Sequence, residues 1–224
     1  GSNLSVPTGQ AISLVGGNQA FTYPDPDTGN TASVPRGVTM TGGTLSAHAG
    51  QINMVSVASV GEVLSSPFQP TSGMTLGSIN LSPGTFVDVS GDAAGTVRIR
   101  SGQLVMENAT ISADTANSNG APIAIDINTT GNVGISNGTT PALTSITQGT
   151  GNAGEIHVVS ADLTATPSAA DFSLAVIDTH TSGTGTGGNV VLTTRDLTVI
   201  GDPVVPSWFI HRGTGGPGNG GNVA

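Results

Sequence analysis

The chain of 224 residues has no cysteine and no lysine. The first absence excludes a disulfide framework and thiolate metal sites, and leaves the compartment open. Lacking lysine, the chain draws its strong base from five arginines, which face 14 acidic residues for a net charge of −9. A nucleic-acid surface needs clustered cations to neutralise phosphates, so that class of partner is excluded. Aromatic residues are scarce, with one Trp, one Tyr and five Phe. No apolar run is long enough to span a bilayer and the start does not read as a signal peptide, so the chain is expected not to be membrane-embedded. Gly1-Ser2 reads as a cloning remnant, and the chain is expected to be a piece of a longer protein.

What is present is glycine, at 34 residues, together with Val, Ile, Leu and Ala that bring the apolar fraction to 36%. That is too apolar for a disordered segment and too poor in charge for an ordinary enzyme. Short runs such as Gln51-Ile-Asn-Met-Val-Ser-Val57 alternate apolar and polar residues between glycines, the period of half-buried strands. No stretch carries a helical period with caps at both ends.

The strongest order is a repeat. Gly154-Glu-Ile-His-Val-Val-Ser-Ala-Asp-Leu163 recurs as Gly188-Asn-Val-Val-Leu-Thr-Thr-Arg-Asp-Leu197 and as Gly95-Thr-Val-Arg-Ile-Arg-Ser-Gly-Gln-Leu104. A looser copy begins at Gly120 and a truncated one at Gly221. Fixed spacing of this kind means stacked units. The expected fold is all-β, a right-handed parallel β-helix, forming one domain over residues 1–224 in about seven to nine coils, with units of about 33–34 residues from 120 to 220. Val97, Ile156 and Val190 should form one inward column, Ile99, Val158 and Leu192 a second, and Leu104, Leu163 and Leu197 a third. Pro-rich external loops are expected near 18–36 and 65–72, with further insertions over 164–171 and 200–208. End coils of such a stack carry unpaired edges, which makes end-to-end self-association through the C-terminal rung an expected mode.

Several residues carry possible chemistry. Asp162 and Asp196 hold the same repeat position, so stacking brings two carboxylates together, a candidate metal pair whose plainer reading is two solvated charges eased by Arg195. His180 and His211 both stand just before a Gly-Thr-Gly corner, with Gln148 in a similar place one coil earlier; stacked, the imidazoles can hold a transition metal, although no third ligand is evident. His157 should project outward between core positions. Asp114 and Asp178 each precede Thr at a strand end, and clustered Asp on a β-helix face is the pattern of polysaccharide-cleaving enzymes. The basic partner such chemistry uses is missing, because Arg36, Arg98, Arg100, Arg195 and Arg212 are dispersed. Gly183–Gly188 lacks the Lys and following helix of a phosphate loop. Trp208-Phe209 can anchor a sugar by stacking, or pack with Phe209 inward. No catalytic residue and no cofactor are assigned.

The order Val6-Pro-Thr-Gly-Gln-Ala-Ile-Ser-Leu-Val-Gly-Gly17, Gly42-Gly-Thr-Leu-Ser-Ala47 and Gly50-Gln-Ile-Asn-Met-Val-Ser-Val-Ala-Ser-Val-Gly-Glu-Val63 resembles the filamentous-haemagglutinin-like exoproteins of two-partner secretion systems. Phe86-Val-Asp-Val-Ser-Gly91, Ile111-Ser-Ala-Asp-Thr115 and Thr147-Gln-Gly-Thr-Gly-Asn-Ala-Gly154 are similar to their repeats. The resemblance implies a β-helical module of a secreted or surface-displayed adhesin of a Gram-negative-type bacterium. Its implied partners are an outer-membrane transporter for the parent protein and a host-cell, matrix or glycan surface. The Asn-Pro-Asn motifs of the family's secretion domain do not occur here, so the chain corresponds to the region after that domain. The expected function is structural and adhesive, without catalysis, with a filament subunit and a polysaccharide lyase or hydrolase as the alternatives.

Overall fold

The computed structural model describes residues 2–17, 21–24, 29, 31–34, 37–138, 140–167, 175–201 and 208–224. Among these there are strands, bridges and turns and no helix. Most of the strands fall into two parallel sheets, one of six strands and one of eleven.

The smaller sheet is built from Ala11–Gly16, Gln51–Ser56, Thr96–Ser101, Ile123–Thr129, Glu155–Val159 and Val190–Thr193, each hydrogen-bonded in parallel to the next in sequence. The larger sheet has two branches. Gln103–Glu107, Val133–Asn137, Asp162–Pro167 and Asp196–Val199 form the first, and Thr110–Ser112, Leu143–Thr144, Ala175–Asp178 and Trp208–His211 form the second. Both branches start on one long strand, Ser78–Asp88, whose front half pairs with the first and whose rear half pairs with the second. Val38–Ser46 runs alongside it with a register shift between Thr41 and Gly43. Gly42 and Gly43 have φ of 69° and 91°, and Gly84 opposite has 79°, so both long strands turn the corner on residues without Cβ strain.

The chain therefore visits the small sheet, the first branch and the second branch in turn, then returns to the small sheet beside its previous strand. Each circuit buries the alternate residues that face its centre. Val97, Ile125, Ile156 and Val190 are register partners in succession, as are Ile99, Ile127, Val158 and Leu192, and Leu104, Val133, Leu163 and Leu197. These are the three columns read from the repeat, completed by Ile125, Ile127 and Val133. Ile52, Ile99, Leu104, Ile127 and Ile156 are wholly buried, whereas their outward neighbours Arg98, Asp126 and His157 are only partly so.

The anchor glycines follow from the close stacking. A Cβ on Gly95, Gly188 or Gly221 would run into a backbone carbonyl of the circuit below, belonging to Gly50, Gly154 and Gly188 respectively. Gly120 is not a member of this column. Its circuit contains an extra residue, with a register shift between Ile123 and Ile125, and the side chain of Ala124 lies where a Cβ on Gly154 would point. The bulge explains the loose fit of that copy: the true column runs Ile125, Ile156, Val190, Val223, spaced 31, 34 and 33 residues apart.

The Pro-rich segments also differ from the expected loops. Phe21–Pro24 pairs antiparallel with Thr31–Val34, and Val63–Ser65 with Phe68–Pro70. Each is a separate two-stranded hairpin, in which a proline at a strand end interrupts no interior ladder. Thr164 to Pro167 is not insertion but strand, paired with Gly134 to Asn137. Residues 168–171 and 202–207 of the two later insertions, and Arg36, lie outside the described residues.

Candidate functional site

The second branch of the larger sheet ends in a polar line. Ser46, Asp88, Ser112, Thr144, Asp178 and His211 are successive register partners across its strands. Two residues further along the chain stand His48, Ser90, Asp114, Ile146 and His180. Strand alternation keeps each pair on the same side of the branch, so one edge gathers three carboxylates and three imidazoles from six circuits.

Two of the three carboxylates are held by the turn that ends their strand. Asp88 Oδ1 accepts the backbone N–H of Ser90 at 2.9 Å, and Asp178 Oδ1 accepts that of His180 at 3.1 Å. These are aspartate turns, the side chain replacing the ladder partner that the N–H loses as the chain leaves the sheet. Asp114 is held across circuits instead. Its Oδ1 accepts the Ile146 N–H at 3.1 Å, and its Oδ2 accepts the Ser112 hydroxyl at 2.9 Å. The Asp114 N–H donates to Ser90 Oγ at 2.9 Å and the Ser90 hydroxyl reaches Ser112 Oγ at 2.8 Å, which closes a ring of hydrogen bonds. Burial raises the Asp114 pKa above its usual 3.8; the Ile146 N–H and the Thr144 and Ser112 hydroxyls oppose that, and the Asp88 charge adds to it.

His48 lies at the first end of the line, donating from Nδ1 to the Ser90 carbonyl at 2.9 Å with Asp88 Oδ2 3.6 Å away. At the other end His180 and His211 meet on Asp178. Their Nδ1 atoms stand 2.7 and 3.1 Å from the same oxygen, Asp178 Oδ1, and their ring centroids are 5.2 Å apart at 39°. A carboxylate only accepts, so both imidazoles carry the proton on Nδ1.

This alters the sequence reading in four respects. His180 and His211 are not equivalent positions: His211 is the register partner of Asp178, and His180 follows two residues later. Gln148 is not one coil earlier in the same place, because Thr147 pairs with Thr181 and the residue level with His180 is therefore Ile146. Asp178, weighed from the sequence only beside Asp114 as a sugar-site residue, stands between the two imidazoles. Asp114 and Asp178 do not stack on each other; the column partner of Asp178 further along the line is Asp88.

Asp162 and Asp196 are register partners as the repeat requires. Arg195 lies across them, with Nη2 2.7 Å from Asp162 Oδ2 and Nε 3.3 Å from Asp196 Oδ2. Asp162, and after it Asp196, push the arginine pKa further up. The guanidinium occupies the place a cation would take between the carboxylates. Arg98 and Arg100 converge on Asp126 on the outer face of the small sheet, so among the described residues the arginine ion pairs fall away from the polar line. Phe209 packs partly against the core and Trp208 is 56% exposed.

Searches against protein-family models, curated proteins and solved structures match nothing. The reading of the molecule rests on its own residues. No helix among those described is long and apolar enough to cross a membrane.

Proposed function

We propose that the chain is a right-handed parallel β-helix serving as a structural and adhesive module of a secreted or surface-displayed bacterial exoprotein of the filamentous-haemagglutinin-like kind. The observation that carries this reading is the in-register pairing of residues, circuit on circuit past the one bulge at Ala124, over three aliphatic columns. Such a stack presents long regular faces, and its stability is a sum of neighbour contacts, which suits a spacer that displays a surface. Right-handedness follows from the preference of parallel crossover connections. A chain without cysteine and able to stack circuit by circuit is suited to export through a barrel transporter.

The test is binding of the purified chain to immobilised matrix proteins, host cells and glycan arrays, run beside turnover assays on acidic and neutral polysaccharides. Saturable binding to one surface class without product release is the expected result. Release of oligosaccharide, abolished by Asp114→Ala or Asp178→Ala, contradicts it and establishes the lyase or hydrolase alternative.

A second reading, stacking of copies end to end, is favoured by the apolar side chains of the terminal circuits. Leu197, Val199 and Val223 are 47, 44 and 46% exposed at one end, and Leu4 is 48% exposed at the other. Concentration-dependent growth of rods in electron micrographs supports it, and a single monomeric species at all concentrations excludes it.

A further inference from the structure

The geometry points to a divalent transition-metal site formed by Asp178, His180 and His211. We propose that Asp178 Oδ1 and the two imidazole Nδ1 atoms bind a first-row divalent cation of the zinc type, leaving an open coordination position. The three ligand atoms all lie within 4.8 Å of one another, with the carboxylate oxygen at 2.7 and 3.1 Å from the two nitrogens. Ligand atoms around a tetrahedral zinc are about 3.3 Å apart, given metal–ligand distances of about 2.0–2.1 Å. The two oxygen–nitrogen separations are close to that value, and side-chain rotation that brings the two nitrogens together completes the arrangement.

The donors suit the ion. Two imidazoles and one carboxylate are the set used by zinc and its neighbours, and hard calcium prefers an all-oxygen shell. In the metal-free cluster two Nδ1–H groups converge on one carboxylate oxygen. A cation seated among the three atoms replaces those two hydrogens, and each ring then carries its proton on Nε2. The His211 ring is already turned the right way: its Nδ1 is the nitrogen directed at Asp178 Oδ1, and its Nε2 lies beside Gly213.

The frame is rigid where it matters. Asp178 and His211 sit on adjacent hydrogen-bonded strands, and the Asp178 carboxylate is pinned by the His180 N–H. Its side chain is 13% exposed, while His180 and His211 are 29 and 40% exposed, which gives the ion and an external fourth ligand a path from solvent. The chain's net charge of −9 draws cations towards it. The sequence signal is Asp-x-His, then one imidazole a full circuit later, and only the register between circuits makes it legible.

The experiment is calorimetric titration of the untagged chain with Zn²⁺ alone, with ring ¹⁵N spectra of the four histidines recorded in parallel. The expected result is one zinc per chain, with ring signals of two histidines moving together. His180→Gln and His211→Gln, each checked for unchanged far-UV circular dichroism, should weaken binding by more than about tenfold, while His157→Gln and His48→Gln leave it unchanged. Lack of saturable binding below about 100 μM Zn²⁺, movement of other histidine signals, or undiminished affinity in His211→Gln each overturns the site. Failure of the adhesion reading shows in surface binding and leaves the titration untouched, so the two outcomes are separable.

Discussion

A half-buried carboxyl in the polar line and a glycine in the anchor column show how much single residues decide. Asp114 has a pKa raised by burial, so the folded state holds its proton to higher pH than the unfolded chain. Between the usual 3.8 and the raised value the native state binds more protons, and stability falls as pH rises through that window. Asp114→Asn keeps an oxygen for the Ile146 N–H without the charge. It is expected to raise the melting temperature at neutral pH and to leave it unchanged in acid below the ordinary carboxylate range, as thermal unfolding across pH will show. The opposite sign is expected at Gly188, where any Cβ meets the Gly154 carbonyl and the Ser145 side chain. Gly188→Ala should destabilise by about 1–3 kcal/mol in urea titration, the range for forced overpacking. The glycine column was readable from sequence because close stacking demands the same small residue at the same point of each circuit. Gly120 misled because the bulge at Ile123–Ile125 displaces its copy, and a one-residue insertion leaves no compositional mark. The His–Asp cluster was half readable: its residues stood out, but their relation depended on a register that the unequal circuits, 31, 34 and 33 residues, hide.

At the scale of the element, position in the stack sets the energetics. Leu163 and Leu197 are register partners with the same local sequence, yet the first is 1% exposed and the second 47%. Leu163→Ala should cost about 2–5 kcal/mol, the range for a large-to-small change in a core. Leu197→Ala, losing burial on one side only, should cost about 1 kcal/mol. Equilibrium unfolding of both variants checks the difference; equal costs would mean that Leu197 is covered. The inward columns were legible because aliphatic alternation at period two is indifferent to what lies outside the sheet. The hairpins Phe21–Pro24 with Thr31–Val34 and Val63–Ser65 with Phe68–Pro70 were not, since proline and turn formers mark loops and short hairpin arms alike. Ser78–Asp88 and Val38–Ser46 likewise each carry glycine at an internal corner, which in sequence resembles glycine at a strand end, and only the shared pairing shows each to be continuous.

For the whole molecule, the stacking of equivalent residues from successive circuits is the claim on which module, filament and metal site all depend. The sequence lacks cysteine, so paired cysteines introduced at chosen points report proximity without background. Thr164 and Thr198 are partners on adjacent strands and point outward with Asp162 and Asp196. Adjacent strands place their Cα atoms about 4.8 Å apart, within the range a disulfide spans. Val191, by contrast, belongs to the other sheet. The decisive measurement is the extent of disulfide formation, by mass spectrometry after mild oxidation of the folded protein, in Thr164→Cys/Thr198→Cys against Thr164→Cys/Val191→Cys. The account predicts near-complete intramolecular bonding in the first pair and none in the second. Bonding in neither, or bonding of residue 164 to residue 191, would contradict it.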